Sequence, residues 1–237
     1  MNQPESAVKH WLRSSLGPLA AQVRCYVWDW RHGVRTFGNK KLRAADLLPS
    51  AADALVYGRQ YMPTHPRLLR RILESLPLAD GRYDFVDFGS GKGRVLLAAS
   101  EYPLGSVTGI EFDRDLHRIA DRNIARYRGA RRCRSVQSVC MDARDFSFAP
   151  RESIYFFFSP FTRPLMEAIL QKMSRSLREH PRDCFLVYVN PELAGFVDGL
   201  GCFELYRNDE YCRIWRSSTS EAAGPPIAQA AAAGSAG

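Results

Sequence analysis

Short apolar runs alternate with longer amphipathic stretches through the middle of the chain. Each run is short enough for a strand, whereas the stretches between them place apolar residues three and four positions apart, which is typical of helices. The predicted strands are 85–88, 106–111, 135–140, 154–158 and 184–189. This alternation predicts an α/β fold with a parallel sheet and helices on both of its faces.

The predicted helices are interleaved with these strands. They run from about 65 to 76, onward from 94, from 114 to 127 and from 164 to 179. Thr64 is placed to cap the first of them. Two further short strands, 202–206 and 211–215, are joined by 207–210 as a hairpin. The sequence therefore predicts seven strands that end in an antiparallel hairpin.

The two ends of the chain depart from this alternation. Residues 6–23 have apolar side chains at helical spacing, and we expect them to pack on the main domain rather than lie on a membrane surface. The aromatic-rich stretch 26–38 is irregular in pattern and forms either a lid or a hydrophobic clasp. From Ser217 onward, small residues and proline predict disorder. The predicted organisation is a helical and aromatic extension (1–50), one main domain (51–216) and a tail (217–237).

Composition is consistent with one substantial domain. The chain has 237 residues, 46% of them hydrophobic, which is enough for one core but not comfortably for two. No apolar run reaches the ~20 residues of a membrane helix, and the N-terminus lacks the features of a signal peptide, so we expect a cytoplasmic protein. The six cysteines form no Cys-x-x-Cys pair, which favours free thiols in a reducing compartment and predicts no metal site.

Arginine dominates the charge of the chain. The formal net charge is +8, and arginines cluster at 67–71 and at 126–134. Such clusters favour acidic partners, nucleic acid above all, because they contact phosphates and release counterions. A solvated surface is the alternative, and the second cluster also suits the negative end of a helix dipole.

The densest local signal follows the first predicted strand. Asp87 is followed by Gly89, Gly91 and Gly93, and a helical pattern begins directly afterwards. Glycines at this spacing allow positive φ angles and a close approach of the backbone to a ligand, while the helix N-terminus offers free amide groups. The dinucleotide-binding fingerprint would place its third glycine where this chain has Arg94. A purely structural turn is the alternative.

Acidic residues follow the next two strands. Glu111 ends the second strand, where a carboxylate can accept hydrogen bonds from both ribose hydroxyls of a nucleoside that lies over the glycine turn. Asp142 follows the third strand. The alternatives are a solvated loop carboxylate for Glu111 and the N-cap of a short turn for Asp142.

This combination resembles motif I and its neighbours in the class I S-adenosylmethionine (AdoMet) dependent methyltransferases. The resemblance spans roughly 55–215, is nearest to small bacterial methyltransferases of unassigned substrate and is looser to non-SET protein lysine methyltransferases. It implies a Rossmann-like, seven-stranded, mostly parallel sheet with an antiparallel closing strand, and AdoMet as the cofactor. The residues that it places at the cofactor are Asp87, Gly89, Ser90, Gly91, Gly93, Glu111, Phe112, Met141, Asp142 and Thr64. In this family Asp142 would accept a hydrogen bond from the adenine amine, and Met141 would pack on the ring.

The loop after the fourth strand faces the methyl group in that family. Ser159-Pro160-Phe161 resembles a shortened form of the motif that amine-directed members carry, although Asn or Asp is commoner there than Ser. The resemblance implies an amine-type acceptor, on a protein side chain or a small molecule, with Tyr61 as a further catalytic residue. The alternative functions are a methyltransferase of RNA or DNA bases and a non-catalytic nucleotide-binding Rossmann protein.

Overall fold

The computed structural model of the protein describes residues 18–38, 64–78, 81–158 and 161–218. Within these residues the helices are α1 (Pro18–His32), α2 (Pro66–Glu74), α3 (Arg94–Ala99), α4 (Arg114–Arg126), α5 (Arg163–Glu179) and α6 (Ala194–Asp198). The strands are β1 (Asp84–Phe88), β2 (Ser106–Glu111), β3 (Ser135–Cys140), β4 (Ser153–Phe158), β5 (Cys184–Val189), β6 (Phe203–Asn208) and β7 (Cys212–Ser217). A 3₁₀ turn, Ala143–Asp145, follows β3.

These strands form one sheet in the order β3-β2-β1-β4-β5-β7-β6. The first five are parallel, and β7 lies antiparallel between β5 and β6. The order reverses between β1 and β4, which in open α/β sheets is where a crevice for ligands opens beyond the carboxyl ends of the strands. The predicted Rossmann-like sheet with a closing antiparallel hairpin is confirmed.

The central strands are buried on both faces. Phe85 and Phe156 belong to one core cluster, which α2 and α3 cover. Their neighbours Val86 and Phe157 belong to a second cluster, which α5 covers. Because successive side chains of a strand point to opposite faces, this packing requires the continuous apolar runs seen in the sequence. Helices on both faces are therefore confirmed.

The N-terminal helix extends further than the sequence suggested. α1 continues to His32, so the prediction of an irregular stretch from Tyr26 is wrong for the part before Gly33. No glycine or proline interrupts the backbone between Pro18 and Gly33, and Gly33 ends the helix with a φ of 70°. Val23 is 52% exposed, so the prediction that its stretch packs on the main domain is wrong for this residue. Residues 6–17 lie outside the described residues.

An aromatic contact holds the end of α1 to the main domain. The rings of His32 and Tyr127 are stacked, with centroids 5.4 Å apart, and Trp28 lies 4.4 Å from His32 on the same side. Tyr127 donates a hydrogen bond to Glu101, which lies just after α3. Of the two alternatives for the aromatic stretch, this contact corresponds to the hydrophobic clasp.

The N-cap of α2 is not the residue that the sequence predicted. His65, not Thr64, is the N-cap of α2, and its Nδ1 accepts a hydrogen bond from the Arg67 amide at 3.3 Å.

The six cysteines are free thiols. Among the described residues, no helix is long and apolar enough to cross a bilayer, and no cluster of His, Cys, Asp or Glu could hold a metal ion. The predicted boundary after position 50 lies outside the described residues.

Candidate functional site

The glycine turn connects β1 to α3 at the point where the strand order reverses. Gly89, Gly91 and Gly93 have φ angles of 78°, 55° and 83°, which lie in the left-handed region that favours glycine. The amides of Gly89 and Ser90 both donate to the Ile110 carbonyl, at 2.9 and 3.1 Å. The turn is thereby fixed against the carboxyl end of β2.

A glycine inside β2 makes this close approach possible. A Cβ atom at Gly109 would lie 2.5 Å from the Ser90 Oγ and 2.6 Å from a methyl group of Leu96. Any larger residue would therefore displace the glycine turn or the first turn of α3. Sequence reasoning missed Gly109, although a glycine inside a strand is a known sign of a close backbone approach.

Glu111 closes over the glycine turn from the end of β2. Its Oε2 accepts a hydrogen bond from the Gly91 amide at 2.7 Å, and its Oε1 accepts one from the Asp113 amide at 2.9 Å. Burial raises the pKa of this carboxyl group to about 7, although both amide bonds act in the opposite direction. Glu111 is thus a buried part of the site rather than a solvated loop carboxylate.

Asp87 and Ser90 bring unpaired polar atoms to the same place. Within the described residues, neither the Asp87 Oδ2 nor the Ser90 Oγ has a hydrogen-bond partner, and both side chains are buried. Burial raises the pKa of Asp87 well above its usual value, and the nearby charge of Glu111 raises it further. A buried polar atom without a partner is costly. A group that supplies hydrogen-bond donors or positive charge would satisfy these two atoms.

Asp142 lies at the end of β3 and serves as an N-cap. Its Oδ1 accepts a hydrogen bond from the Arg144 amide at 2.9 Å, and its Oδ2 lies 2.7 Å from the Arg144 guanidinium. The capping role that the sequence offered as an alternative is therefore present. Met141 packs, partly buried, against the second core cluster. Contact of Met141 and Asp142 with adenine stays a prediction.

Of the four predicted acceptor residues, the structure describes Phe161. Tyr61, Ser159 and Pro160 lie outside the described residues. Phe161 is 5% exposed and packs in the second core cluster, just beyond the carboxyl end of β4. Thr64 is buried, and its carbonyl accepts a long hydrogen bond of 3.5 Å from Arg94. Phe112, next to Glu111, is partly exposed.

Arg94 follows the glycine turn directly, and sequence reasoning used it only to exclude the dinucleotide fingerprint. Its guanidinium is buried beneath the N-terminal segment, where it donates to the Thr36 hydroxyl at 2.6 Å and to Asp29 at 3.1 Å. Asp29 in turn accepts hydrogen bonds from the amides of Thr36 and Phe37, at 2.5 and 2.7 Å. We call this set of four residues the Asp29–Arg94 network. It joins α1 to the first residue of α3.

A second contact reinforces the same junction. The Lys92 ammonium group, within the glycine turn, donates to the Gly38 carbonyl at 2.8 Å. The Asn123 amide of α4 donates to the Lys92 carbonyl at 2.9 Å, and its oxygen accepts from the Arg35 amide at 2.9 Å. Residues 34–38 therefore hold the glycine turn from outside. No local pattern in the sequence predicts these contacts.

Burial and neighbouring arginines keep the His65 side chain uncharged. The pKa of His65 is lowered to about 4 by burial and, to a smaller extent, by the positive charges of Arg24, Arg67 and Arg94. His65 is therefore neutral at physiological pH. The buried positive charge of Arg94 is balanced by Asp29, at an oxygen–nitrogen distance of 3.1 Å.

Residues 85–180, from β1 to the end of α5, match the family model described as a methyltransferase domain. The chain therefore carries a methyltransferase domain, which supports its assignment as an AdoMet-dependent methyltransferase. AdoMet is the cofactor of this methyltransferase. No curated protein matches the chain in sequence.

Solved structures of other methyltransferases are similar to it at low identity. An RNA methyltransferase from Salinibacter ruber, in complex with S-adenosyl-L-homocysteine, is 18% identical over 70% of this chain and 100% of that chain, with a TM-score of 0.43. A TehB-like methyltransferase from Corynebacterium glutamicum is 13% identical over 85% and 99%, with a TM-score of 0.43. A methyltransferase from Aquifex aeolicus is 14% identical over 63% and 88%, with a TM-score of 0.47. None of these similarities identifies the acceptor.

Proposed function

We propose that this methyltransferase modifies an amine-type acceptor, and that the glycine turn with Asp87 and Glu111 holds its AdoMet. One observation carries the cofactor site. A buried carboxyl group with an unpaired oxygen, Asp87, lies beside a second buried carboxyl group on a turn of left-handed glycines. AdoMet carries an ammonium group, a sulfonium group and two ribose hydroxyls, so its chemistry fits these acceptors.

Each cofactor residue has a distinct role in this proposal. Asp87, with Ser90 beside it, faces the positively charged methionine part, because only a cationic or donor group relieves its unpaired oxygen. Glu111 accepts from the ribose, since its carboxylate is already held in place by the Gly91 amide. Gly89 and Gly93 keep the backbone free of side chains. Thr64, Phe112, Met141 and Asp142 complete the pocket around the methionine part and the adenine.

The acceptor residues follow from the loop after β4. The cofactor supplies an electrophilic methyl group, so the protein must present the acceptor nitrogen with its lone pair free. In our proposal the Ser159 hydroxyl and the carbonyls beside Pro160 accept the hydrogens of the amine, while Tyr61 and Phe161 surround it with apolar surface. Apolar surroundings favour the neutral form of a lysine amine. A protein side chain is therefore a suitable acceptor.

A nucleic-acid base is the second candidate acceptor. The observation that favours it is the row of exposed arginines on α4, which starts three residues after Glu111. An exocyclic base amine is also an amine-type group. The methyltransferase domain displaces the third interpretation, a non-catalytic nucleotide-binding protein.

The cofactor site is tested by calorimetry with AdoMet, its demethylated product and NAD. The wild type should bind the first two and not NAD. Glu111→Ala and Gly91→Val should abolish binding, whereas Glu204→Ala, on the exposed part of β6, should bind like the wild type. Circular dichroism verifies that each variant is folded. Full AdoMet affinity in both site variants, or tight binding of NAD instead of AdoMet, would contradict the proposed site.

The acceptor class is tested with radiolabelled AdoMet and a cell extract. Labelled product is divided into protease-sensitive, nuclease-sensitive and small-molecule fractions. Label in the protease-sensitive fraction supports a protein amine, and label in the small-molecule fraction supports a small amine. Label that only nuclease releases assigns the second candidate. The Ser159→Ala variant should reduce transfer while AdoMet affinity stays unchanged, and equal transfer rates would remove Ser159 from the catalytic residues.

A further inference from the structure

Four arginines follow one another at intervals of four residues along α4. Arg114, Arg118, Arg122 and Arg126 are all exposed. In an α-helix this spacing advances each side chain by about 6 Å along the axis and turns it by only about 40°. The four side chains therefore form a row that extends about 18 Å along the axis and winds by about 120° around the helix. We call this row the arginine ridge.

The arginine ridge starts at the edge of the sheet where the cofactor residues lie. The charges of Arg114 and Arg118 both act on the Cys140 thiol, whose pKa is raised by burial and lowered in part by these arginines. Cys140 is the last residue of β3 and pairs in register with Glu111. The first half of the ridge therefore lies beside the carboxyl ends of β2 and β3. Cys140, on which its charges act, directly precedes Met141.

The other end of the ridge leads into further arginines. α4 ends at Arg126, and the segment that returns to β3 carries more exposed arginines, namely Arg128, Arg131, Arg132 and Arg134. The charge of Arg131 acts on Tyr127 and on Cys133, just before β3. The positive surface therefore extends along α4 from the carboxyl end of β3 to its amino end.

Within the part of the chain that the structure describes, the ridge arginines form no ion pairs. The ion pair within α4 joins His117 to Asp121. Asp113 is buried as the N-cap of the helix, with its carboxylate on the amides of Asp115 and Leu116. A row of four cations without described acidic partners is electrostatically unfavourable by itself and is relieved by a polyanion.

The chemistry of α4 favours one kind of polyanion. A helix that binds a membrane surface needs large apolar side chains next to its cations, but the apolar residues of α4 such as Leu116 and Ala120 are buried against the domain. Arginine binds phosphate through two parallel hydrogen bonds, and a regular row matches a regular chain of phosphates better than the irregular carboxylates of an acidic protein. We propose that the arginine ridge binds the phosphate backbone of a nucleic acid strand.

This docking surface goes beyond the proposed function, since it does not depend on which atom receives the methyl group. A strand held along the ridge would pass the edge of the sheet that carries Glu111 and Asp142. Backbone contacts of this kind position a strand without reading its sequence. The proposal therefore predicts binding that is strongly salt-dependent and nearly independent of sequence.

The test measures binding of a fluorescent single-stranded RNA of mixed sequence by anisotropy, at two salt concentrations and without AdoMet. If four phosphates are contacted, a fourfold rise in salt should weaken binding by about 50-fold. The double variant Arg118→Gln with Arg122→Gln removes two of the four contacts, so the same rise should weaken its binding by only about 7-fold. DNA of the same sequence should behave similarly.

The control changes the same net charge on the opposite face of the sheet. Arg163→Gln with Arg175→Gln alters two exposed arginines of α5 and should retain the wild-type salt dependence. Thermal unfolding and AdoMet calorimetry verify that both double variants are intact. Three results would overturn the proposal: no RNA binding by the wild type, equal losses in the ridge and control variants, or equally tight ridge-dependent binding of anionic lipid vesicles or polyglutamate.

Discussion

Replacing Asp29 tests whether the Asp29–Arg94 network is a structural junction or only a surface contact. The Asp29→Asn variant keeps the size of the side chain but removes its charge. The guanidinium of Arg94, with a side-chain exposure of 1%, would then be a buried cation without a counter-charge. In addition, the backbone N–H groups of Thr36 and Phe37 donate to the Asp29 Oδ2, at 2.5 and 2.7 Å. If the NH₂ group of the new asparagine takes the place of this oxygen, donors face donors.

The expected magnitude follows from burial. Removing one partner of a buried ion pair typically costs 3–5 kcal/mol, so we expect a loss of about 3–5 kcal/mol in the free energy of unfolding. For a chain of this size, that loss corresponds to a fall in melting temperature of roughly 6–20 °C. The matched control is Glu74→Gln, which breaks the Arg70–Glu74 pair. That pair is 72% and 50% exposed, so water and salt screen it and its loss should have little effect on stability.

The assay is equilibrium unfolding in urea, followed by circular dichroism. A third variant, Asp29→Leu with Arg94→Met, removes both charges and should be more stable than Asp29→Asn, because it leaves no uncompensated charge in the core. If Asp29→Asn loses no more stability than Glu74→Gln, the buried pair does not hold α1 to α3 and the reasoning fails.

Three further predictions concern the glycine turn and the end of the sheet. Gly109→Ala should weaken AdoMet binding by at least tenfold in calorimetry, because its Cβ would lie 2.5 Å from the Ser90 Oγ; Gly195→Ala, where a Cβ meets nothing within 4 Å, is the control. The pKa of Glu111 is raised from 4.5 to about 7, so the free energy of unfolding of the cofactor-free protein should fall by roughly 3 kcal/mol as pH rises from 4.5 to 7. The Glu111→Gln variant should lack this part of the pH dependence of unfolding. Ser217→Ala should destabilise the protein by about 1–3 kcal/mol in urea, since the buried hydroxyl accepts from the Cys184 amide at 2.8 Å.

The strands were the most predictable part of the fold. β2, β3 and β5 have the predicted bounds, and β1 and β4 each begin one residue earlier than predicted. The central strands are covered on both faces, so their apolar runs end where burial ends. The edge strand β3 is half-exposed and its two valines, Val136 and Val139, lie on opposite faces, but such β-branched residues still favour a strand.

The helix ends and caps were less predictable, because competing local choices have similar energies. Both Thr64 and His65 can accept a hydrogen bond from the first turn of α2, and the sequence does not determine which one does. α1 continues through an aromatic stretch with weak helical preference because tertiary contacts, such as the stacking of His32 on Tyr127, stabilise it.

In the candidate site too, features that depend on local sequence could be predicted, whereas the choice among contact partners could not. The positive φ angles of the glycine turn and the carboxylate at the end of β2 follow from residue type and spacing, so both could be predicted. Asp142 shows the limit of this approach, since the same aspartate fits a cap and an adenine contact, and the cap is already formed by the Arg144 amide. A local pattern identifies the position of such a residue but does not select among its partners.

Arg94 shows why the remaining contacts escape a local pattern. In the sequence, Arg94 showed only that the third glycine of the dinucleotide-binding fingerprint is absent. Its partners are Thr36 and Asp29, 58 and 65 residues earlier in the chain, and nothing in the sequence between them signals the contact. Because Gly93 already ends the left-handed turn, the next residue is free to carry a long side chain toward α1. The network therefore joins the N-terminal segment to the glycine turn at a position that does not disturb the backbone of the turn.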